Sequence, residues 1–318
     1  MVALKVAAPV CVALRQTWPG NDDRNMNRRL FCFGYGFSAR ALAERLRGAG
    51  WRIAGTTRDP GKLEALRAEG VEAYLFDTER PLEDPQAALA GATHILASAP
   101  PGPAGDPVAA QHAEDIAACD SVEWFGYLST TGVYGDRGGD WVDEDSALEP
   151  TGSRGERRVA AERAWLALQA QHGLPVHLFR LAGIYGPGRN AIETVRDGRA
   201  KRIDKPGQVF SRIHVADIAT VLEASIARPN PGQAYNLCDD NPAPPEAVIA
   251  HACRLLGVEP PPLIPFDAAE LSEMARSFYR DNKRVSNQRI KSELGVELLY
   301  PDYEAGLAAL LAESQSGG

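Results

Sequence analysis

From residue 29 to about residue 182 the chain alternates short apolar runs with longer amphipathic stretches. Leu30 to Phe33, Arg52 to Thr56, Val71 to Phe76, His94 to Ala97, Trp124 to Leu128 and Val176 to Leu181 read as six strands. They are too evenly apolar for a sheet with one wet face, so they predict parallel strands covered on both sides. The stretches between them read as helices. In Ala39 to Leu46, Leu42 and Leu46 stand four apart on one face, and Gly48 and Gly50 close the turn. Asp59 caps the next helix, with Pro60 at its first position. Gln111 to Cys119 follows, and then Ser153 to Gln171, long and rich in Ala, Arg and Glu. Strand and helix in strict turn predict an α/β fold built on a doubly wound parallel sheet.

Beyond Leu181 the rhythm loosens. Pro-rich breaks occur at 229–231, 242–245 and 260–265, between helical stretches at 216–227, 246–256, 268–277, 288–294 and 303–312. This half reads as a smaller C-terminal lobe over 183–313, with one or two segments returning to the sheet. Residues 314–318 read as a frayed tail. The first 25 residues fit neither part. Lys5 precedes an apolar run from Val6 to Leu14 that faintly resembles a signal peptide, but Pro9 interrupts it and no small-residue cleavage site follows. Met26 is the expected natural start, residues 1–25 a disordered or spurious extension, and 26–182 the larger domain.

Composition narrows the function classes. With 34 basic and 42 acidic residues the net charge is −8, against a nucleic-acid partner. No apolar run reaches the roughly 20 residues a membrane helix needs. Five widely spaced cysteines without a CxxC read as reduced thiols in a cytoplasmic protein, and six scattered histidines argue against a metal site.

The chemistry concentrates where the first strand ends. Gly34-Tyr35-Gly36-Phe37-Ser38-Ala39 is G-x-G-x-x-A between a strand and a helix. The first glycine permits the tight turn and the second lets the backbone approach a pyrophosphate. Ala39 keeps the helix close to the sheet, and the N–H groups of the helix N-terminus then face the phosphates. In this Rossmann-like setting the motif predicts dinucleotide binding, the alternative being a bare turn. The second strand ends in Thr57-Arg58, where an acid would select NAD. A guanidinium there suits the 2′-phosphate, so NADP is the preferred cofactor and NAD the second choice. Asp77, after the third strand, either accepts from the adenine amine or caps the turn before Pro81. Ser98, Ala99 and Pro100, after the fourth, are small enough to let backbone approach the nicotinamide half.

Several strings together resemble the extended short-chain dehydrogenase/reductases, the NAD-dependent epimerase/dehydratase family. They are Tyr127-Leu128-Ser129-Thr130-Thr131-Gly132-Val133-Tyr134-Gly135, Asp143-Glu144-Asp145 before Pro150, Phe179-Arg180-Leu181-Ala182-Gly183-Ile184-Tyr185-Gly186-Pro187-Gly188-Arg189, Arg212-Ile213-His214-Val215-Ala216-Asp217-Ile218, and Tyr235-Asn236-Leu237. The resemblance spans about residues 29 to 312. It implies a catalytic Ser/Thr at Thr130 and a Tyr-x-x-x-Lys pair at the start of the long helix. Matched on Glu162, that pair falls on Arg154 and Arg158, and Phe33 stands where the family's first glycine is. Arginine stays protonated near neutral pH and does not shuttle protons, so the chain reads as an atypical member. Arg154 and Arg158 then bind anions rather than transfer protons. Tyr134 and Tyr185 are substitute acids or packing residues, His214 a hydrogen-bonding residue, and the acidic run Asp136 to Asp145 a solvated loop.

The leading expectation is an NADP-dependent oxidoreductase or related enzyme acting on a small anionic metabolite, gathered by Arg154, Arg158 and Arg189. The alternatives are a non-catalytic NADP-binding sensor or regulator and a purely structural protein. The resemblance also implies a homodimer.

Overall fold

The computed structural model describes residues 28–316. The expectations about residues 1–25 and about Met26 as the start lie outside the described residues. The strands are β1 (Arg29–Phe33), β2 (Arg52–Thr57), β3 (Glu72–Leu75), β4 (His94–Ala97), β5 (Trp124–Thr130), β6 (Trp141–Val142), β7 (Val176–Leu181), β8 (Gly183–Tyr185), β9 (Arg202–Asp204), β10 (Arg212–His214), β11 (Ala234–Leu237), β12 (Leu263–Pro265) and β13 (Arg284–Val285). The helices are α1 (Phe37–Gly48), α2 (Leu63–Ala68), α3 (Pro85–Leu89), α4 (Pro107–Ala117), α5 (Ser153–His172), α6 (Ala191–Arg196), α7 (Val215–Ala227), α8 (Pro245–Leu256), α9 (Glu273–Phe278), α10 (Gln288–Ser292) and α11 (Tyr303–Ser316).

Seven strands form one parallel sheet in the order β11-β7-β5-β4-β1-β2-β3. The apolar runs are central strands, and their alternating side chains feed two cores. Leu30 and Cys32 of β1 join Leu42 and Leu46 of α1 and Ile218 and Leu222 of α7 on one face. Phe31 and Phe33 join Val108 and Ile116 of α4 and Trp165 of α5 on the other. Strand order reverses between β1 and β4, which opens a crevice at their C-terminal ends.

The C-terminal half returns β11 to the sheet edge beside β7. The rest builds a lobe on the short parallel pairs β8–β10 and β9–β12 and on a core of Tyr185, Ile192, Val248, Tyr303, Leu307 and Leu310. A further two-residue pair, β6–β13, ties residues 141–142 to 284–285. Three expectations need correction. Residues 269–272 are not helical, because Ser272 caps a later and shorter α9 by accepting from the Ala275 N–H (3.2 Å). α4 begins at Pro107, four residues early, because Asp106 caps it. The expected tail is helical as far as Ser316. No helix among the described residues is long and apolar enough to cross a membrane.

Candidate functional site

The crevice between β1 and β4 is built largely from backbone. Gly34 has φ +86°, in the left-handed region that favours glycine. A Cβ there would stand 3.0 Å from the Ala99 nitrogen and 3.1 Å from Ser98 Oγ. The Gly34 N–H donates to Thr56 Oγ1 (2.8 Å), and the Ser98 hydroxyl donates to the Gly34 carbonyl (2.5 Å). The turn is thus locked to the ends of β2 and β4 at once.

Gly36 differs. A Cβ built on it meets nothing within 4 Å, and it is exposed. It is the N-cap of α1, where no side chain caps the helix and no acid stands in the first turn. Uncapped N–H groups, a positive dipole end and open space above them together make a cradle whose chemistry suits an anion. The neighbouring side chains are turned out of it. Tyr35 lies over β2, where a Cβ on Gly55 would come within 2.8 Å of its ring, and its hydroxyl accepts from Arg47 Nη2 (3.3 Å). The Phe37 ring sits against Gly186, and Ser38 and Ala39 are buried.

At the end of β2, Thr57 Oγ1 accepts from the Asp59 N–H (3.1 Å), and Asp59 Oδ1 accepts from the Gly61 N–H (3.0 Å). Asp59 is therefore committed to the turn. Arg58 is exposed and pairs with no acid among the described residues. Asp77 takes its turn-capping role: Oδ1 accepts from the Glu79 and Arg80 N–H groups (2.9 and 3.0 Å), and Oδ2 from Arg80 Nη2 (2.7 Å). The Glu79 hydrogen bond, then the Arg80 pairing, hold its carboxyl below the usual range. Ser98 and Ala99 are half-buried beside Gly34, and Pro100 is exposed.

At the end of β5, which pairs with β4, Thr130 caps the turn 131–134, accepting from the Gly132 N–H (3.2 Å). Arg154 is exposed and has no partner among the described residues. Arg158 turns back onto the sheet. Its Nη1 donates to the Leu128 carbonyl and to the Tyr127 hydroxyl (3.3 Å), and its guanidinium lies 5.7 Å from the Tyr127 ring centre. The structure brings no contact between Arg154, Arg158 and Arg189; Arg189 is exposed on the turn that bridges back to Gly186.

Behind this wall lies a network that sequence reasoning missed. Ser129 Oγ donates to Glu162 Oε1 (2.5 Å), and Arg180 Nη2 to Glu162 Oε2 (2.8 Å). Arg180 Nη1 reaches the Tyr134 hydroxyl (2.9 Å), which donates to Asn236 Oδ1 (2.7 Å). Glu144 is buried and accepts from the Asn236 N–H (2.7 Å), so the acidic run is not simply a solvated loop. One signal for the network was present: Arg180 is a charge inside a strand that is buried along its whole length.

No phenol here is poised as an acid. Burial pushes Tyr134 up to about 12 and raises Tyr127 and Tyr185 as well. Tyr185 donates to the Asp302 carbonyl (3.3 Å). His214 plays its expected structural part, Nδ1 accepting from the Ala216 N–H (3.2 Å), and burial lowers it to about 4. Among the described residues no group of three or more His, Cys, Asp or Glu is placed to hold a metal ion.

The family model described as NAD dependent epimerase/dehydratase matches residues 34–238, from the glycine turn to the end of β11. The chain belongs to this family. Protein YeeZ of Escherichia coli (strain K12) is 30% identical over 295 residues, covering 86% of this chain and 97% of YeeZ. A solved structure of a functionally unknown conserved protein from Silicibacter pomeroyi DSS is 53% identical, with a TM-score of 0.82, covering 90% of this chain and 99% of that one. The UDP-glucuronic acid 4-epimerase from Bacillus cereus, solved in complex with NAD, is 14% identical with a TM-score of 0.72, covering 91% and 99%. That likeness shows the shared fold. The epimerase/dehydratase resemblance read from the motifs is correct, and the parallel sheet with its reversal beside the glycine turn is that fold.

Proposed function

We propose that this epimerase/dehydratase-family protein binds NADP in preference to NAD and acts on a small anionic metabolite. The observation that carries the reading is the cradle at Gly36, open above an uncapped helix N-terminus, with Arg58 unpaired at the end of β2. Gly34 to Ala39 would hold the pyrophosphate, Thr57 and Arg58 the 2′-phosphate, and Ser98, Ala99 and Pro100 the nicotinamide half. When bound, the nicotinamide supplies or accepts a hydride. The chain's own residues bind and orient. Arg154, exposed and unpartnered, suits an anionic group of the substrate, and Thr130 suits a hydroxyl, carbonyl or water. Arg158 braces the sheet through Leu128 and Tyr127.

The reading includes a working division into 26–182 for the cofactor and 183–313 for the substrate. It also includes a homodimer and a reducing, cytoplasmic setting for the free thiols of Cys32, Cys119, Cys238 and Cys253. Calorimetric titration of NADP and NAD tests it. NADP binds more tightly, and Arg58→Ala weakens NADP by about tenfold, the low end for a charge-assisted contact at an exposed site, while leaving NAD unchanged. Equal losses for both cofactors refute the NADP preference, and binding of neither refutes the cofactor reading.

A further inference from the structure

The C-terminal lobe carries a half-open cavity of about 330 Å³ between β8, α6, β10, α8 and α11. None of its lining residues belongs to the glycine turn, the Thr130 turn or α5. Most of its wall is apolar or aromatic, including Tyr185, Val248, Ile249, Tyr303 and Leu307. Two cations complete the lining, Arg212 and Lys201, and no acid does.

Arg212 is the informative residue. Its Nη1 donates to the carbonyls of Phe210 (2.8 Å) and Ala243 (3.1 Å), which fixes the guanidinium in place. Among the described residues Nε and Nη2 donate to nothing, and no carboxylate forms an ion pair with the group. Its guanidinium carbon is 6.0 Å from the Tyr303 ring centre, so the charge sits against an aromatic wall. Asp239 is the acid that acts on it most strongly from a distance, and burial pushes that carboxyl up to about 8, leaving it largely neutral at pH 7. Lys201 is exposed and donates to the Glu270 carbonyl (3.2 Å), and it pairs with no carboxylate among the described residues.

A partly buried guanidinium with no carboxylate in contact among the described residues is under-compensated, and an anion beside it offsets that cost. The space beside it exceeds what one or two waters fill and suits a small organic molecule. We propose that this cavity binds a small organic anion with an apolar body, an aromatic or branched aliphatic carboxylate, with the carboxylate on Arg212 and the body between Tyr303 and Val248. The planar fork of Arg212 matches a carboxylate, and the apolar walls exclude a fully hydrated ion such as phosphate.

Calorimetric titration of the full chain without any nicotinamide cofactor tests the proposal, using benzoate and isovalerate as probes and benzyl alcohol and inorganic phosphate as controls. Benzoate and isovalerate bind, and each control binds at least about tenfold more weakly. Arg212→Gln weakens benzoate by about tenfold or more. Thr194→Phe fills the cavity from α6 and does the same with Arg212 untouched, which covers the case in which Arg212→Gln does not fold. Absence of benzoate binding, equal binding of benzyl alcohol or phosphate, or benzoate binding unchanged in Thr194→Phe overturns the proposal. Gly36→Val leaves benzoate binding intact, so failure of the dinucleotide reading is told apart from failure of this one.

Discussion

Gly34 and Gly36 stand two residues apart in one turn, yet their surroundings call for opposite outcomes on substitution. In Gly34→Ala the new methyl group lands 3.0 Å from the Ala99 nitrogen and 3.1 Å from Ser98 Oγ, at a φ of +86°. The left-handed backbone costs roughly 1–2 kcal/mol for a non-glycine residue. Displacing the Ser98 hydroxyl from the Gly34 carbonyl removes a hydrogen bond worth about 1 kcal/mol. The sum is about 2–3 kcal/mol, and at about 2 °C per kcal/mol for a chain of this size Tm falls by about 4–6 °C. In Gly36→Val the side chain enters open space at a φ of −98°. Its stability cost is that of a poor N-cap, at most about 1 kcal/mol. Its effect on the cofactor is much larger, because the branched side chain occupies the cradle. Losing two charge-assisted N–H contacts to a pyrophosphate, at roughly 1.5–3 kcal/mol each, weakens binding by more than about a hundredfold. Differential scanning fluorimetry and calorimetric titration on the two variants give four readings. A Gly36→Val protein that binds NADP as tightly as wild type reduces the turn to a connection. A Gly34→Ala protein with unchanged Tm means that the locked geometry at Ser98 and Ala99 carries no energy.

Three further outcomes rest on other parts of the molecule. Glu162→Gln leaves Arg180 buried without its counter-charge, and urea unfolding shows a loss of about 3–5 kcal/mol. Asp239 is buried with Oδ2 unpartnered, and its folded pKa of about 8 lies above the usual carboxylate value, so its contribution is complete at low pH and is lost as pH rises toward 8. Stability therefore falls by about 2 kcal/mol from pH 6 to pH 8, and Asp239→Asn removes that slope; the same slope in the variant contradicts the assignment. The double variant Arg154→Tyr, Arg158→Lys gains no strong turnover on nucleotide-sugar substrates, measured across a substrate panel; robust epimerase or dehydratase activity contradicts the proposed substrate class.

What the amino-acid pattern revealed depended on how local the cause was. The central strands were legible because burial on both faces forces apolar residues at every position. β5 runs two residues further than the pattern suggested. Ser129 and Thr130 are polar, but they pair with Arg180 and Leu181 across the sheet. Strands of two or three residues, such as β6 and β13, carry no periodicity and exist only through their partners. The glycine turn was legible for the same reason as the central strands, since a backbone conformation and an absent side chain are written in the residues themselves. The destination of Arg158 was not. A long side chain at that position on α5 reaches either the crevice or the sheet, and the Leu128 carbonyl and the Tyr127 ring decide which. The cavity around Arg212 was equally hidden, since its walls come from five elements spread over more than a hundred residues.

Arg158 also explains why the proposed chemistry rests on orientation rather than on proton transfer by a side chain. A catalytic phenol is useful when a neighbouring cation lowers its pKa toward neutral. Tyr127 has that neighbour in Arg158, yet its side chain is fully buried and burial outweighs the cation, raising the phenol instead. Tyr134 has Arg180, and there burial again prevails. The cations on this wall are spent on fixing β5 and α5 rather than on activating a group that faces the crevice. Two groups beside this wall are not used in that way: Thr130, whose oxygen accepts from the Gly132 N–H, and Arg154, exposed and without a partner among the described residues. Under the proposed function those two groups would align and anchor an anionic substrate. A bound nicotinamide would supply or accept the hydride, and the buried phenols of Tyr127 and Tyr134 would serve as neither acid nor base near neutral pH.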